Sequence, residues 1–274
     1  MASYCLEKGQ LEIAVGLGAG VRTNPLYQTD NTPLVVIPDI AWYGENWYLD
    51  NTEIGYQWIQ QETFAAEGFV TLNGEYGYFR SSHFSNFVLD GSSISSGFES
   101  GTAPGLAPND EDDNQQDIFL NIQVSPENVA KRKLGIDAGI RLHWYQGDNE
   151  WTLSAAHDIN DVYQGGSLSA NYRRFMELGE WRVIANLRAT WKSAALLDYY
   201  YGIDARDTFD ATLHYTAGSA WFTQVGLSAN RKITENWRWL LHISYNHLPS
   251  AMSDSPLVDK NYTITTFAGV TYRF

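Results

Sequence analysis

Apolar and polar side chains alternate with a period of two along most of the chain, and the alternation is cleanest toward its end. Counting back from Phe274, Tyr272, Val270, Ala268 and Ile264 share one face, and Arg273, Thr271, Gly269 and Thr265 share the other. Trp237, Trp239, Leu241, Ile243 and Tyr245 alternate in the same way with Arg238, His242, Ser244 and Asn246. Trp181, Val183, Ala185, Leu187, Ala189 and Trp191 oppose Arg182, Asn186, Arg188, Thr190 and Lys192, and Trp151, Leu153, Ala155 and Ile159 oppose Thr152, Ser154, Ala156 and Asp158. A strand built this way suits lipid on one side and a polar lumen on the other. In a water-soluble barrel the same pattern would leave a broad apolar exterior.

The alternation and the turns between runs predict strands near 11–21, 33–43, 63–80, 133–145, 149–159, 165–175, 180–191, 220–232, 236–247 and 261–274. Residues 46–60 are ambiguous. They either continue the preceding crossing or add a short hairpin around Asp50-Asn51. A bacterial outer-membrane barrel has an even number of strands. The fold expected is therefore an all-β transmembrane antiparallel up-and-down barrel of twelve strands, with ten as the alternative, forming one domain over 1–274. Short polar turns precede Trp47, Trp151, Trp181 and Trp237. Tryptophan has an apolar ring and an N–H that wants a partner, so these four are expected to mark the periplasmic rim. The long connections, above all 81–132, are expected on the extracellular side.

Composition refines this picture. Mean hydropathy is -0.32, which is no argument for solubility, because alternating strands escape a scan for apolar helices. Met1 is followed by Ala-Ser-Tyr-Cys with neither a basic segment nor an apolar core, so the chain reads as a mature form. The net charge of -14 argues against nucleic acid as a partner. Cys5 is the single cysteine and the six histidines are scattered, so no internal disulfide, metal site or cofactor is expected. The run Asn109-Asp110-Glu111-Asp112-Asp113-Asn114 matches no ordered calcium-ligand spacing and reads as a solvated acidic loop. The expected surroundings are outer-membrane lipid and lipopolysaccharide.

With the tryptophan face toward lipid, the lumen receives Arg141, His143, Arg173, Arg182, Arg188, Lys192, Arg238, His242 and Arg273, with Glu12, Asp137 and Asp158 as candidate counter-charges. A narrow barrel is packed with side chains and a buried Arg must be paired, so the expectation is an ion-pair ladder. An anion-attracting lumen is the sharper alternative. No catalytic set is assigned, because alternation sends His157 to lipid and Asp158 to the lumen.

Several short segments, in order, resemble the MipA/OmpV family of outer-membrane proteins: Gly16-Leu17-Gly18, Asn24-Pro25-Leu26-Tyr27, Trp47-Tyr48-Leu49 to Ile54-Gly55-Tyr56, Trp151-Thr152-Leu153-Ser154, Tyr200-Tyr201-Gly202-Ile203, Ser255-Pro256-Leu257-Val258 and Tyr272-Arg273-Phe274. The chain departs from the family pattern at Gln28, where glycine is usual, and over 81–130. The resemblance implies an outer-membrane barrel of a Gram-negative envelope without catalytic residues. For the member that gives the family its name, it implies a scaffold joining a murein hydrolase to a murein synthase. A narrow pore or anion-binding barrel, and an outer-membrane hydrolase, are the competing functions.

Overall fold

The computed structural model describes residues 9, 11–80, 83–87, 89 and 123–274. Cys5 and the acidic run at 109–114 lie outside them. Twelve antiparallel strands close into a barrel in simple up-and-down order. They are β1 Leu11–Arg22, β2 Thr32–Tyr43, β3 Trp47–Asp50, β4 Glu53–Gln60, β5 Phe64–Leu72, β6 Ile136–Gln146, β7 Asn149–Asp158, β8 Gly166–Leu178, β9 Trp181–Lys192, β10 Ala220–Lys232, β11 Trp237–His247 and β12 Tyr262–Arg273. Closure pairs β12 with β1, from Ala14 opposite Arg273 to Arg22 opposite Thr265. No sheet edge is left facing hydrocarbon at the seam, the condition under which strands can cross a bilayer.

The wall carries Leu153, Leu168, Leu187, Val225, Leu227, Leu241 and Ile243 outward, all exposed. Such a surface is stable in lipid and would aggregate in water. Aromatic rings mark both ends of this band. At the rim of short turns, Trp151 packs on Tyr172, Trp47 on Tyr56 and Trp237 on Tyr272, with ring centroids 4.4–5.0 Å apart. At the other rim, Trp191 and Trp221 are register partners on β9 and β10, and Tyr245 stacks on Tyr262.

The ambiguous stretch 46–60 is a hairpin, so the count is twelve. Asn51 turns it with a positive φ of 51°. β3 spans four residues and pairs only with Ala41–Tyr43 of β2. Above that contact the edge of β2 has no strand partner among the described residues. Ile40 directs both its N–H and its C=O at Asn51, so two residues earlier Pro38 stands on the same edge with no N–H left unpaired. Proline is one of the few ways to end pairing on a strand without that cost.

The strand expected over 63–80 stops at Leu72. Asn73 accepts from the Glu75 N–H and a helical turn, α1 (Tyr76–Phe79), follows. Asn-Gly at 73–74 is a turn signal that outweighs the alternation continuing past it. From this connection Phe87 and Leu89 reach back against Leu34 and Ile37 of β2, Leu240 of β11 and Phe267 of β12. One side of the lumen is therefore apolar and filled.

Candidate functional site

Strand alternation brings charged side chains from β4 to β8 into one lumenal network. Arg141 on β6 donates to Glu53 Oε1 and Oε2 at 2.7 Å each and to Glu67 Oε1 at 2.8 Å. Its guanidinium also lies 4.2 Å from the centre of the Phe69 ring. Tyr48 donates to Glu53 and Glu67 at 2.7 and 3.0 Å. His143 sits between Glu67 and Glu150, with Nε2 3.4 Å from one and Nδ1 3.0 Å from the other. Arg173 on β8 donates to Glu150 at 2.7 Å. Cations and carboxylates thus alternate around half the barrel, so the field of each arginine is spent on its neighbours.

Elsewhere, Arg273 approaches Glu12 at 3.5 Å, and Arg238 is close enough to act on the same carboxylate. Lys192 pairs with Glu75 and lies over the Phe222 ring. Arg182 and Arg188 follow the inward register of β9. His242 Nδ1 lies 2.8 Å from Ser228 Oγ. His157 is exposed and Asp158 buried, on opposite faces. Trp47, Trp151, Trp181 and Trp237 begin β3, β7, β9 and β11 or stand within three residues of their starts, all at the rim of short turns.

Asp137 and Asp158 do not serve the arginines as counter-charges. Asp137 accepts from Asn73 Nδ2 at 2.8 Å and from the Tyr163 hydroxyl. Asp158 accepts from the backbone N–H groups of Tyr163, Gln164 and Asn160 at 2.7–3.0 Å, which folds the β7–β8 turn. Both carboxylates sit near the ends of their strands, where Asp137 meets side-chain donors and Asp158 the backbone donors of the following turn. Glu12 does pair as expected, with Arg273, but Glu53, Glu67 and Glu150, which hold Arg141, His143 and Arg173, escaped the sequence reading. Parity from Trp151 already directs Glu150 inward; Glu53 and Glu67 needed the hairpin and the register of β4 on β5.

At the rim of long connections the loops gather into an apolar cluster. A second helix, α2 (Ala194–Tyr201), buries Leu196, Leu197, Tyr200 and Tyr201, a spacing that puts all four on one face. Ser193 caps it by accepting from the Leu196 N–H at 3.3 Å. It ends at Gly202, where the backbone turns extended and a Cβ would come within 2.4 Å of the Asp198 carbonyl. Leu26, Val129, Tyr163, Ile203, Leu248, Met252, Leu257 and Val258 complete the cluster. The Ser255 hydroxyl donates to the Tyr201 carbonyl at 2.6 Å, and Leu26 bridges to Val258. Three segments carrying the family resemblance, at 24–27, 200–203 and 255–258, therefore meet in one plug.

Polar contacts tie the plug down. Arg132 donates to Asp207 Oδ1 at 2.8 Å, to Asp207 Oδ2 at 3.2 Å, and to the carbonyls of Tyr200, Gly202 and Ala130. Both side chains of this pair are almost wholly buried. Burial would raise the Asp207 carboxyl, but the hydrogen bond and charge of Arg132 hold it below the usual carboxylate value. The Tyr201 hydroxyl donates to Glu75 and is pushed far above its ordinary value by burial and by that negative charge. Beneath the plug lies a polar cavity of about 590 Å³, which reaches down to Arg141, Asn171 and Arg173.

Comparison with known proteins gives a family match over residues 15–274, to the family described as MltA-interacting protein MipA. Escherichia coli K12 YiaT, a putative outer membrane protein, is 26% identical over 268 residues, covering 96% of this chain and 91% of that protein. Vibrio cholerae outer membrane protein OmpV is 25% identical over 150 residues, 55% of this chain and 58% of its own. The MltA-interacting protein of Escherichia coli K12 is 29% identical over 93 residues, 34% of this chain and 38% of its own. Among solved structures, an outer membrane channel of Pseudomonas putida F1 superimposes over 99% of this chain and 98% of its own, at 10% identity and a TM-score of 0.43.

Proposed function

The chain belongs to the MltA-interacting protein MipA family, and on that footing we propose that it is a non-enzymatic, non-conducting barrel of the outer membrane that holds murein-processing proteins at its periplasmic rim. The observation that carries this reading is that α2 and the segments around Leu26 and Leu257 pack into one buried apolar cluster at the rim of long connections, which we read as a plug of the mouth. Outer-membrane barrels keep short turns in the periplasm and long connections outside. That rule assigns the plug to the cell surface and the rim of Trp47, Trp151, Trp181 and Trp237 to the periplasm. A barrel stopped at its outer end and neutralised inside by Glu53, Glu67 and Glu150 is ill suited to passing anions. The partner class follows from the relative named for its interaction with MltA.

Two measurements test this. Purification in mild detergent should bring down a lytic transglycosylase or a murein synthase, and substitutions in the turns at Gly44–Asn46 or Gly179–Glu180 should weaken that capture. In planar bilayers the unmodified protein should stay at background conductance. A steady anion-selective current would replace this reading with a pore.

A further inference from the structure

Formal charge is almost absent from the outward faces of the strands. Arg173 donates to Glu150 in the lumen, so Arg174 next to it points outward; Val225 and Leu227 are exposed on the wall, so Arg231, in the same phase of β10, points outward too. Among the described strand residues these two arginines are the only outward-facing side chains that carry a formal charge. Both stand at the rim of short turns. Arg174 is the register partner of Asn149, the first residue of β7, and donates to its Oδ1 at 3.0 Å. Arg231 is the register partner of Trp181, the first residue of β9.

Arg174 shares a row with Ala185 and Leu227, and Arg231 lies four residues beyond Leu227 on β10. With strands about 4.8 Å apart and about 3.4 Å per residue, the two Cα atoms are about 17 Å apart, within the combined reach of two extended arginine side chains. Met176 and Val183 lie between them on the lipid face and are nevertheless buried, so longer side chains fold over this row. An arginine on the lipid face costs little at the interface. Depth permits the pair but does not explain why both cations fall on one side of the barrel. The rest of the rim has the opposite sign, since each of the five short turns carries one acid, Glu45, Glu62, Asp148, Glu180 or Glu235. Glu180 pairs with Arg231, and with side chains 73% and 44% exposed this is a pair that another anion can exchange. A guanidinium offers five N–H donors in a planar fork that fits phosphate oxygens in pairs. Two such forks flank the interfacial indole of Trp181, on a rim that repels anions elsewhere. A zwitterionic headgroup would bring its own ammonium to both arginines; a headgroup with net negative charge would not.

We propose that Arg174 and Arg231, on either side of Trp181, form a binding site on the outer wall for the phosphodiester headgroup of an anionic glycerophospholipid in the periplasmic leaflet. The leaflet follows from the orientation argued above; the site itself stands independently of any murein partner.

Fluorescence quenching tests this on the full chain keeping only Trp181 or only Trp47, with the other tryptophans changed to Phe and folding read from the heat-dependent gel shift of an intact barrel. Trp47 begins β3, on the far side of the barrel from β9. The protein is placed in phosphatidylcholine bilayers with a minor fraction of phosphatidylglycerol brominated near the headgroup. Quenching of Trp181 should correspond to about fivefold enrichment of phosphatidylglycerol over its bulk fraction, the size expected of an arginine site at an interface. Trp47 should report the bulk fraction, and brominated phosphatidylcholine should quench both alike. Arg174→Gln combined with Arg231→Gln should bring Trp181 down to the Trp47 value, and so should about 1 M salt on the parent chain. Glu180→Gln should raise the enrichment, because it removes the carboxylate that competes for Arg231. Equal quenching of Trp181 and Trp47 by phosphatidylglycerol would overturn the proposal. So would enrichment that survives the double substitution, or that falls in Glu180→Gln.

Discussion

Replacing Asp207 with Asn removes one charge from the latch that holds the plug while keeping its shape. Arg132 would then remain buried against an uncharged amide, with the hydrogen bonds at 2.8 and 3.2 Å deprived of their anion. Breaking one side of a buried ion pair costs about 3–5 kcal/mol. The pair lies at the loop rim rather than mid-barrel and Arg132 keeps its three carbonyl acceptors, so we take about 3 kcal/mol. At about 1.4 kcal/mol per tenfold, that shifts the balance between seated and released plug by roughly a hundredfold. The strands do not depend on this pair, so the barrel should remain folded. Two assays follow: protease added to intact cells should cut the 202–215 segment faster in Asp207→Asn than in the unmodified protein, and planar bilayers should show brief openings that the unmodified protein lacks. Acid should reproduce the effect. Because the folded-state pKa of Asp207 is lowered, its contribution is complete above the ordinary carboxylate value of about 3.9 and disappears as pH falls through the lowered value. The latch should thus be indifferent between pH 5 and 8 (roughly the range in which an Asp stays ionised) and release only in strong acid. An Asp207→Asn protein with unchanged protease pattern and background conductance would refute the argument that this pair holds the mouth.

Arg141→Met should lower stability by about 3 kcal/mol, because Glu53 and Glu67 would face each other without a cation; urea titration in micelles reads this, and adding Glu67→Gln should recover part of the loss. Leu197→Ala should cost the plug about 2–5 kcal/mol, since that side chain is fully buried, and should sensitise the loop rim to protease without shifting the unfolding of the barrel. Single-tryptophan variants keeping Trp47, Trp151, Trp181 or Trp237 should be quenched alike by lipids brominated near the headgroup and weakly by lipids brominated at the chain ends; quenching from the bilayer centre at any of them would break the common level.

The period of two and the turns before Trp47, Trp151, Trp181 and Trp237 were enough to read a lipid-facing barrel, because lipid on one side and water on the other impose alternation residue by residue. Closure then restricted the strand number to even values. Which even value was a tertiary matter: β3 has four residues, too few for a period to declare itself, and it exists because Asn51 turns the chain back against Ala41–Tyr43.

Facing direction was legible in the same way, so Arg141, Arg182, Arg188, Arg238 and Arg273 could be sent to the lumen from the chain alone. Most of their partners could not. Of the three acids the chain offered, Glu12 does meet Arg273, but Asp137 and Asp158 serve Tyr163, Asn73 and the β7–β8 turn, while Glu53, Glu67 and Glu150 meet Arg141, His143 and Arg173. Pairing depends on the stagger between strands, which shifts neighbours by whole residues without altering any strand's own pattern. The plug was likewise beyond reach, because Leu26, Tyr201 and Leu257 come from connections far apart in sequence and share no periodicity. Alternation along one strand decided what each side chain faces; only the closed barrel, by fixing register and gathering its loops over one mouth, decided what each side chain touches.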